Sequence, residues 1–168
     1  MRFCIVAVLA LGFLVVADAQ DDAAKEKMKK AIKEEIKKLE GTWVRISSEA
    51  DGEKTEDAKT PPKKPIRLTI TEDKFTTNSA AGDSVSTFKL DPTKKPKQLD
   101  LTSVEKNSEG ERSTSLCIYK VDGDELTVCS WFPFMEKSDK LQKRPTEFAA
   151  KRGSDNVIEV YKREKKKE

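Results

Sequence analysis

The pattern of apolar positions changes its period once along the chain, near Gly41. Before that point Met28, Ile32, Ile36 and Leu39 recur at helical spacing, while lysine and glutamate occupy the other faces. The pattern predicts an amphipathic helix over residues 21–40 that ends at Gly41. Because its apolar stripe is only one residue wide, we expect the helix to lay one edge on a domain and to add little to folding. Binding to a membrane surface is the alternative.

After Gly41 the apolar and polar residues alternate in short runs, which is the period of half-buried strands. Turn-forming stretches such as "ADGEK", "AAGD" and "VDGDE" separate these runs. Short strands at this spacing are typical of an all-β sandwich or barrel. The predicted strands cover residues 42–49, 65–71, 74–78, 84–90, 98–104, 113–121, 125–131 and 156–162.

Two polar stretches contain no large apolar residue that could pack against a core. Residues 51–64 contain two prolines and many charges, so we predict a long mobile loop there. The chain ends in "YKREKKKE", which we interpret as a solvated basic tail over residues 164–168 that follows the last strand.

The region 113–131 is the clearest hairpin, because Asp122-Gly123 is a favoured turn pair. A three-residue loop would place Cys117 and Cys129 on one face as diagonal neighbours. A two-residue loop would place them on opposite faces, since a slip of one residue turns every side chain over. A disulfide between the two cysteines is therefore a candidate with poor geometry, even in a compartment that permits disulfides.

The first residues have the three parts of a secretory signal. Arg2 supplies the positive start, residues 3–16 the apolar run, and Ala17-Asp18-Ala19 the cleavage site. The apolar run is shorter than the roughly 20 residues that a membrane span needs. We therefore predict a signal peptide at residues 1–19 and an exported protein, periplasmic or extracellular, with no transmembrane segment after cleavage.

The composition argues against several function classes. Lysine and arginine number 33 against 30 acidic residues, and a net charge of +3 does not favour nucleic-acid binding. The chain has no histidine, which excludes Ser-His and Cys-His nucleophile pairs and zinc sites that use histidine. The spacing of Cys117 and Cys129 fits no zinc or redox motif. We therefore expect no metal and no cofactor.

Two motifs that look catalytic have an ordinary explanation. "STFK", residues 86–89, matches the S-x-x-K of penicillin-recognising enzymes, but it lies in an alternating segment where residues three apart face opposite ways. Carboxylate pairs such as Glu34 and Glu35 lie in polar contexts, so we interpret them as solvated surface groups. No catalytic residue is predicted, and we do not expect an enzyme.

Five segments occur in order between residues 39 and 163: "LEGTWVRISSEADGEK", "LTITEDKF", "FKLDPTKKPKQLDLT", "CIYKVDGDELTVC" and "KRPTEFAAK". In these segments the chain resembles a family of small exported proteins of unknown function that is abundant in planctomycete bacteria. In that family the position of Cys129 usually carries cysteine, whereas the position of Cys117 is more often glycine. The resemblance therefore does not favour the disulfide.

Gly41-Thr42-Trp43, which opens the first strand, resembles lipocalins and fatty-acid-binding proteins. This resemblance implies an antiparallel up-and-down barrel of about eight strands over residues 41–163, preceded by the helix at 20–40. In lipocalins the tryptophan closes one barrel end, and an arginine of the last strand covers its ring. Trp43 and Arg163 match these two structural positions.

Other parts of the two family patterns are missing. The lipocalin T-D-Y motif does not occur, and the Arg-x-Tyr clamp of fatty-acid-binding proteins has Glu159 in place of arginine. Recognition of a carboxylate ligand is therefore not implied. A barrel of eight strands can also be filled by its own side chains.

Two functions remain open. The first is a lipocalin-like binding module for a small apolar ligand, with candidates for the ligand mouth at Trp131, Phe132, Phe134 and Met135. The favoured alternative for this segment is core packing beneath a long loop. The second is a non-enzymatic structural or interaction domain of the cell envelope, with an anionic polymer or a protein as its partner. The interior volume separates them, because ligand pockets typically measure about 300–1,000 Å³.

Overall fold

The computed structural model describes residues 17–131 and 143–165, with side chains described from Asp22 onward. Within these ranges it contains one helix and nine strands. The elements are α1 (Ala17–Leu39), β1 (Gly41–Ala50), β2 (Glu53–Glu56), β3 (Arg67–Ile70), β4 (Lys74–Ser79), β5 (Gly82–Asp91), β6 (Lys97–Ser103), β7 (Thr114–Asp122), β8 (Glu125–Trp131) and β9 (Asn156–Arg163).

Eight of the strands close into an antiparallel barrel. From β3 to β9 each strand pairs with the next along the chain, and β1 pairs with both β3 and β9. The prediction of an all-β up-and-down barrel is confirmed, and every predicted strand is present within a few residues of its expected bounds. A bulge at Ile46 shifts the register of β1 against β9 and bends β1.

The ninth strand, β2, was missed by the hydrophobic pattern. The prediction of a loop over residues 51–64 is wrong at its start, because β2 pairs with the last part of β1. Asp51 and Gly52 form the connecting two-residue turn, with φ angles of 51° and 80°. An Asp-Gly pair tolerates these positive angles. This pairing uses backbone groups and needs no apolar side chain, so no alternation marks it.

The β7–β8 hairpin corrects the position of the cysteines. Asp122 lies opposite Glu125, so the loop has two residues, and the three-residue alternative is wrong. Cys117 then pairs with Ser130 in the interior, while Cys129 pairs with Ile118 on the outer face. Both cysteines are buried free thiols, and the candidate disulfide does not form, since the sheet separates the two side chains.

Two apolar cores stabilise the barrel. The larger one fills the interior and includes residues from α1 and from every barrel strand. The smaller core lies outside, where residues 143–155 cross over the strands and bury Ala150 beside Ile118, Cys129 and Ile158. Arg144 anchors the start of this segment with a hydrogen bond of 2.6 Å to the carbonyl oxygen of Cys117.

Candidate functional site

The barrel has a helix end, where α1 meets the first residues of β1, and a far end, where β1 and β8 finish. At the helix end the Trp43 ring is fully buried, and its Nε1 donates a 2.8 Å hydrogen bond to the carbonyl oxygen of Leu39. The Arg163 guanidinium carbon lies 3.9 Å from the ring centroid. Its nitrogens donate to the carbonyl oxygens of Lys38 and Glu40, each at 2.6 Å. The predicted pair of Trp43 and Arg163 is thus brought together.

This arrangement explains the glycine that precedes Thr42-Trp43. Gly41 has φ of +125°, which L side chains rarely adopt, and a Cβ there would lie 2.9 Å from Nη1 of Arg163. The glycine lets the chain turn from α1 into β1 while Arg163 binds the free carbonyls at the end of the helix. Such carbonyls have no partner within a helix, so an arginine that binds them caps it.

The helix end also contains a buried carboxylate that sequence reasoning missed. Glu35 is only 3% exposed and forms salt bridges with Lys97 and, at 3.3 Å, with Lys38. The interpretation of Glu35 as a surface group is wrong. Glu35 lies seven residues after Met28 and four before Leu39, so helical spacing places it on the apolar stripe. The burial of Glu35 could have been predicted from this spacing.

Tyr119 lies beside this carboxylate in the interior. Burial, together with the Glu35 charge, raises the pKa of Tyr119 well above its ordinary value. Its hydroxyl is buried and has no hydrogen bond of good geometry within the described part of the chain. The Glu35–Lys97 salt bridge holds the last turn of α1 on the barrel, and Lys97 Nζ lies 5.9 Å from the centroid of the Tyr119 ring.

The apolar side chains of the interior pack closely where the structure describes them. The void that they enclose has a volume of about 10 Å³, far below the several hundred Å³ of a typical ligand pocket. Eight side chains line it: Leu39, Ile70, Phe75, Phe88, Leu99, Tyr119, Leu126 and Val128. One of these, Leu39, comes from α1, so the helix takes part in filling the barrel.

A charged cluster lies farther along the interior, formed by residues of β1 and β9 and by Asp57, which follows β2. The Arg45 guanidinium binds both carboxylate oxygens of Asp57, at 3.1 and 3.2 Å, and one oxygen of Glu159 at 3.2 Å. The Tyr161 hydroxyl donates to the other Glu159 oxygen at 3.0 Å. Burial lowers the pKa of Arg45, but the bonds to the two carboxylates outweigh it and raise that pKa.

The charged groups of this cluster pair with one another. Glu159 lies two residues before Tyr161 on β9, and the guanidinium that binds it comes from Arg45 on β1. Both carboxylates that it binds belong to the protein itself. The Arg45 guanidinium is therefore already engaged and does not offer a free positive charge to a carboxylate ligand.

The side chains that face the interior change from apolar to hydroxyl toward the far end. Ser130 pairs with Cys117, Ser115 pairs with Leu101, and Ser86 pairs with Phe75, so each shares the inner face of an interior residue. Ser103 pairs with Ser86, and Ser48 pairs with Glu159. We call these five half-buried residues the serine rim: Ser48, Ser86, Ser103, Ser115 and Ser130.

The predicted ligand-mouth residues do not line the interior as far as the structure describes them. Trp131 is the last residue of β8, and it shares a face with Cys129, which belongs to the outer core. Its placement at the mouth is therefore wrong, because strand alternation turns it outward. Phe132, Phe134 and Met135 lie outside the described residues.

Comparison with known proteins adds no relative: no family model, no curated protein and no solved structure matches the chain. Among residues 17–131 and 143–165, no helix is long and apolar enough to cross a membrane. The same residues contain no group of three or more cysteine or acidic side chains placed to hold a metal ion.

Proposed function

We propose that this protein is an exported, non-enzymatic binding domain whose barrel is a filled scaffold and not a container for an apolar ligand. The observation that carries the proposal is the apolar void of about 10 Å³. An apolar molecule with the volume of even one benzene ring would have to displace side chains that are already packed. Such displacement costs free energy, because protein interiors are packed as densely as organic crystals.

The helix end supports the same proposal. Leu39 and Trp43 are 3% and 0% exposed, and Arg163 lies over the ring, so this end offers no entrance. The Glu35–Lys97 salt bridge holds the last turn of α1 in place beside them. A ligand or partner would then bind at the far end or on the outer surface.

Export is the second part of the proposal. It rests on the positive start, the apolar run and the A-x-A site of the first 19 residues. The resemblance to a family of small exported planctomycete proteins points to the same compartment. Two buried free thiols on opposite sides of one sheet are compatible with an oxidising compartment, because neither can reach the other.

Titration with a neutral apolar dye, N-phenyl-1-naphthylamine, tests the filled barrel. We expect no saturable fluorescence increase with the intact chain. Leu126→Ala serves as the positive control, because Leu126 lines the void and its truncation should open space for benzene, detected as a rise in Tm. Saturable one-to-one dye binding that raises the Tm of the unmodified chain would overturn the proposal.

A further inference from the structure

We propose that the serine rim is a binding site for a small neutral polyhydroxylated molecule, that is, a sugar or a polyol. The inference rests on the proposed function, since it assigns a ligand class to the far end of a binding domain. It is carried by three features of the described residues: the convergence of the hydroxyls, the state of the charges beside them and the apolar surface beneath them.

The five rim hydroxyls come from five different strands, β1, β5, β6, β7 and β8. Because each shares the inner face of its strand with an interior residue, they converge toward the barrel axis at the far end. All five are half-buried, so they border the interior and are still reached by solvent. A serine hydroxyl donates one hydrogen bond and accepts two, which matches the hydroxyls of a sugar. The Ser103 hydroxyl already donates to the carbonyl oxygen of Glu105 at 2.9 Å, so it offers a ligand its acceptor positions.

The charges beside the rim select against anions. Arg45 is the cation of the neighbouring cluster, and its guanidinium is bound by Asp57 and Glu159. One positive and two negative groups leave this cluster with a net negative charge. A phosphate or carboxylate ligand would be repelled by that charge, because the Arg45 guanidinium is already paired, whereas a neutral ligand would not be repelled.

The surface beneath the rim is apolar. Phe88 pairs with Leu101, and Leu101 pairs with Ser115, so one row runs from an aromatic ring to a rim hydroxyl. Phe88 is also half-buried and lines the small void of the filled core. An aromatic floor below a set of convergent polar groups suits a ligand that has C–H faces and hydroxyl edges.

Saturation-transfer NMR and calorimetry on the full chain test the proposal with defined probes. The neutral probes are glucose, N-acetylglucosamine and cellobiose, and the anionic counterpart is glucuronate. We expect at least one neutral probe to bind when tested up to about 50 mM, a ceiling that detects a millimolar Kd. Glucuronate should bind more weakly than glucose, and raising the salt concentration should reduce the difference.

Substitutions locate the site. Ser115→Ala and Ser130→Ala should each weaken the binding of the neutral probe by about two- to tenfold, since each removes one hydrogen-bonding group. Thr87→Ala is the matched control, because Thr87 lies next to Ser86 on the outer face of β5 and should leave affinity unchanged. Melting temperatures of all three variants establish that they fold.

Three outcomes contradict the inference: no binding of any neutral probe by the intact chain, an affinity in both rim variants equal to that of the intact chain, or preferential binding of glucuronate. None of these outcomes contradicts the proposed function, which is tested separately by the dye titration of the apolar interior. If the chain binds neither the dye nor a sugar, the result supports the filled barrel and contradicts the rim site.

Discussion

Arg163 and Trp43 form a stacked pair at the helix end, with the guanidinium carbon 3.9 Å from the ring centroid. The two residues belong to the last and the first barrel strands, and they lie directly opposite each other in the register of β1 and β9. Both also bind the carbonyl groups at the end of α1, Trp43 through Leu39 and Arg163 through Lys38 and Glu40. This pair therefore closes the barrel and fastens the helix to it.

Truncation of the pair should be costly and non-additive. We expect Trp43→Ala to lower the free energy of unfolding by about 3–5 kcal/mol, the range for a buried aromatic side chain. Arg163→Ala should cost about 1–3 kcal/mol through its lost stacking and hydrogen bonds. The double variant should lose less than the sum, because Arg163 covers nothing once the ring is gone. Urea titrations of the two single variants and the double variant measure these losses, with the exposed Lys162→Ala as control. Strictly additive losses would show that the two side chains act independently.

Glu35 and Glu34 form a natural comparison between a buried and an exposed carboxylate. Glu35→Gln breaks the salt bridge to Lys97 inside the barrel end, so we expect a loss of about 1–3 kcal/mol in unfolding free energy. Glu34→Gln, one residue earlier on the exposed face, should change stability by less than about 0.5 kcal/mol. Chemical denaturation of both variants decides the point. Equal effects would mean that the buried carboxylate contributes nothing beyond a surface charge.

The two parts of α1 should contribute unequally to stability. The narrow stripe predicts a helix that adds little to folding, yet Leu39 lies in the interior core and Glu35 is buried beside it. A chain that begins at residue 30 should keep the unfolding midpoint of the chain that begins at Gln20. A chain that begins at Gly41 should lose several kcal/mol, because it lacks Leu39, whose loss alone removes about 2–5 kcal/mol of core packing. Thermal melts followed by circular dichroism compare the three, and identical midpoints would contradict the role of Leu39.

The buried thiols predict a loss of stability in alkali. Burial raises the pKa of Cys117 to about 12 and that of Cys129 to about 11, from an ordinary value of 9.0. A raised folded-state pKa stabilises the protein below the unfolded pKa, and this contribution is lost as pH rises toward the folded value. The unfolding free energy should therefore fall above about pH 9, and Cys117→Ala should reduce the slope.

Thiol labelling gives an independent readout of the same burial. Native protein at pH 8 should react slowly with a thiol reagent at both cysteines, because the thiolate is the reactive form and it is disfavoured here. Unfolded protein should react at once. Rapid labelling of the native state, or a disulfide found by mass spectrometry, would contradict the positions of the two side chains.

Export predicts a defined N-terminus. Protein recovered from the native host should begin at Gln20, after removal of the first 19 residues. N-terminal peptide mass spectrometry tests this directly. Recovery of the intact Met1 terminus from the membrane fraction would mean that the apolar run is an anchor and not a signal.

The local patterns along the chain were sufficient to predict the eight barrel strands, but not β2. Alternation in the eight predicted segments and the turn residues between them depend only on neighbouring positions, so they are legible without a structure. The Gly-Thr-Trp opening also pointed to Arg163 through its resemblance to known barrels. These features could be predicted because the residue patterns of strands and turns are largely local.

The features that needed the tertiary structure depend on residues far apart in sequence. Compared with a three-residue loop, the two-residue loop between β7 and β8 turns every residue of β8 to the opposite face and so separates Cys117 from Cys129. The alternation of apolar and polar residues does not distinguish one loop length from the other. Glu35 carries a polar side chain on an apolar stripe, and its salt bridge to Lys97 on β6, far away in sequence, helps to make that burial favourable. The void of about 10 Å³ is what remains after side chains from α1 and six barrel strands have packed together. Volume inside a closed barrel is a property of all its strands at once, and therefore only the tertiary structure decided it.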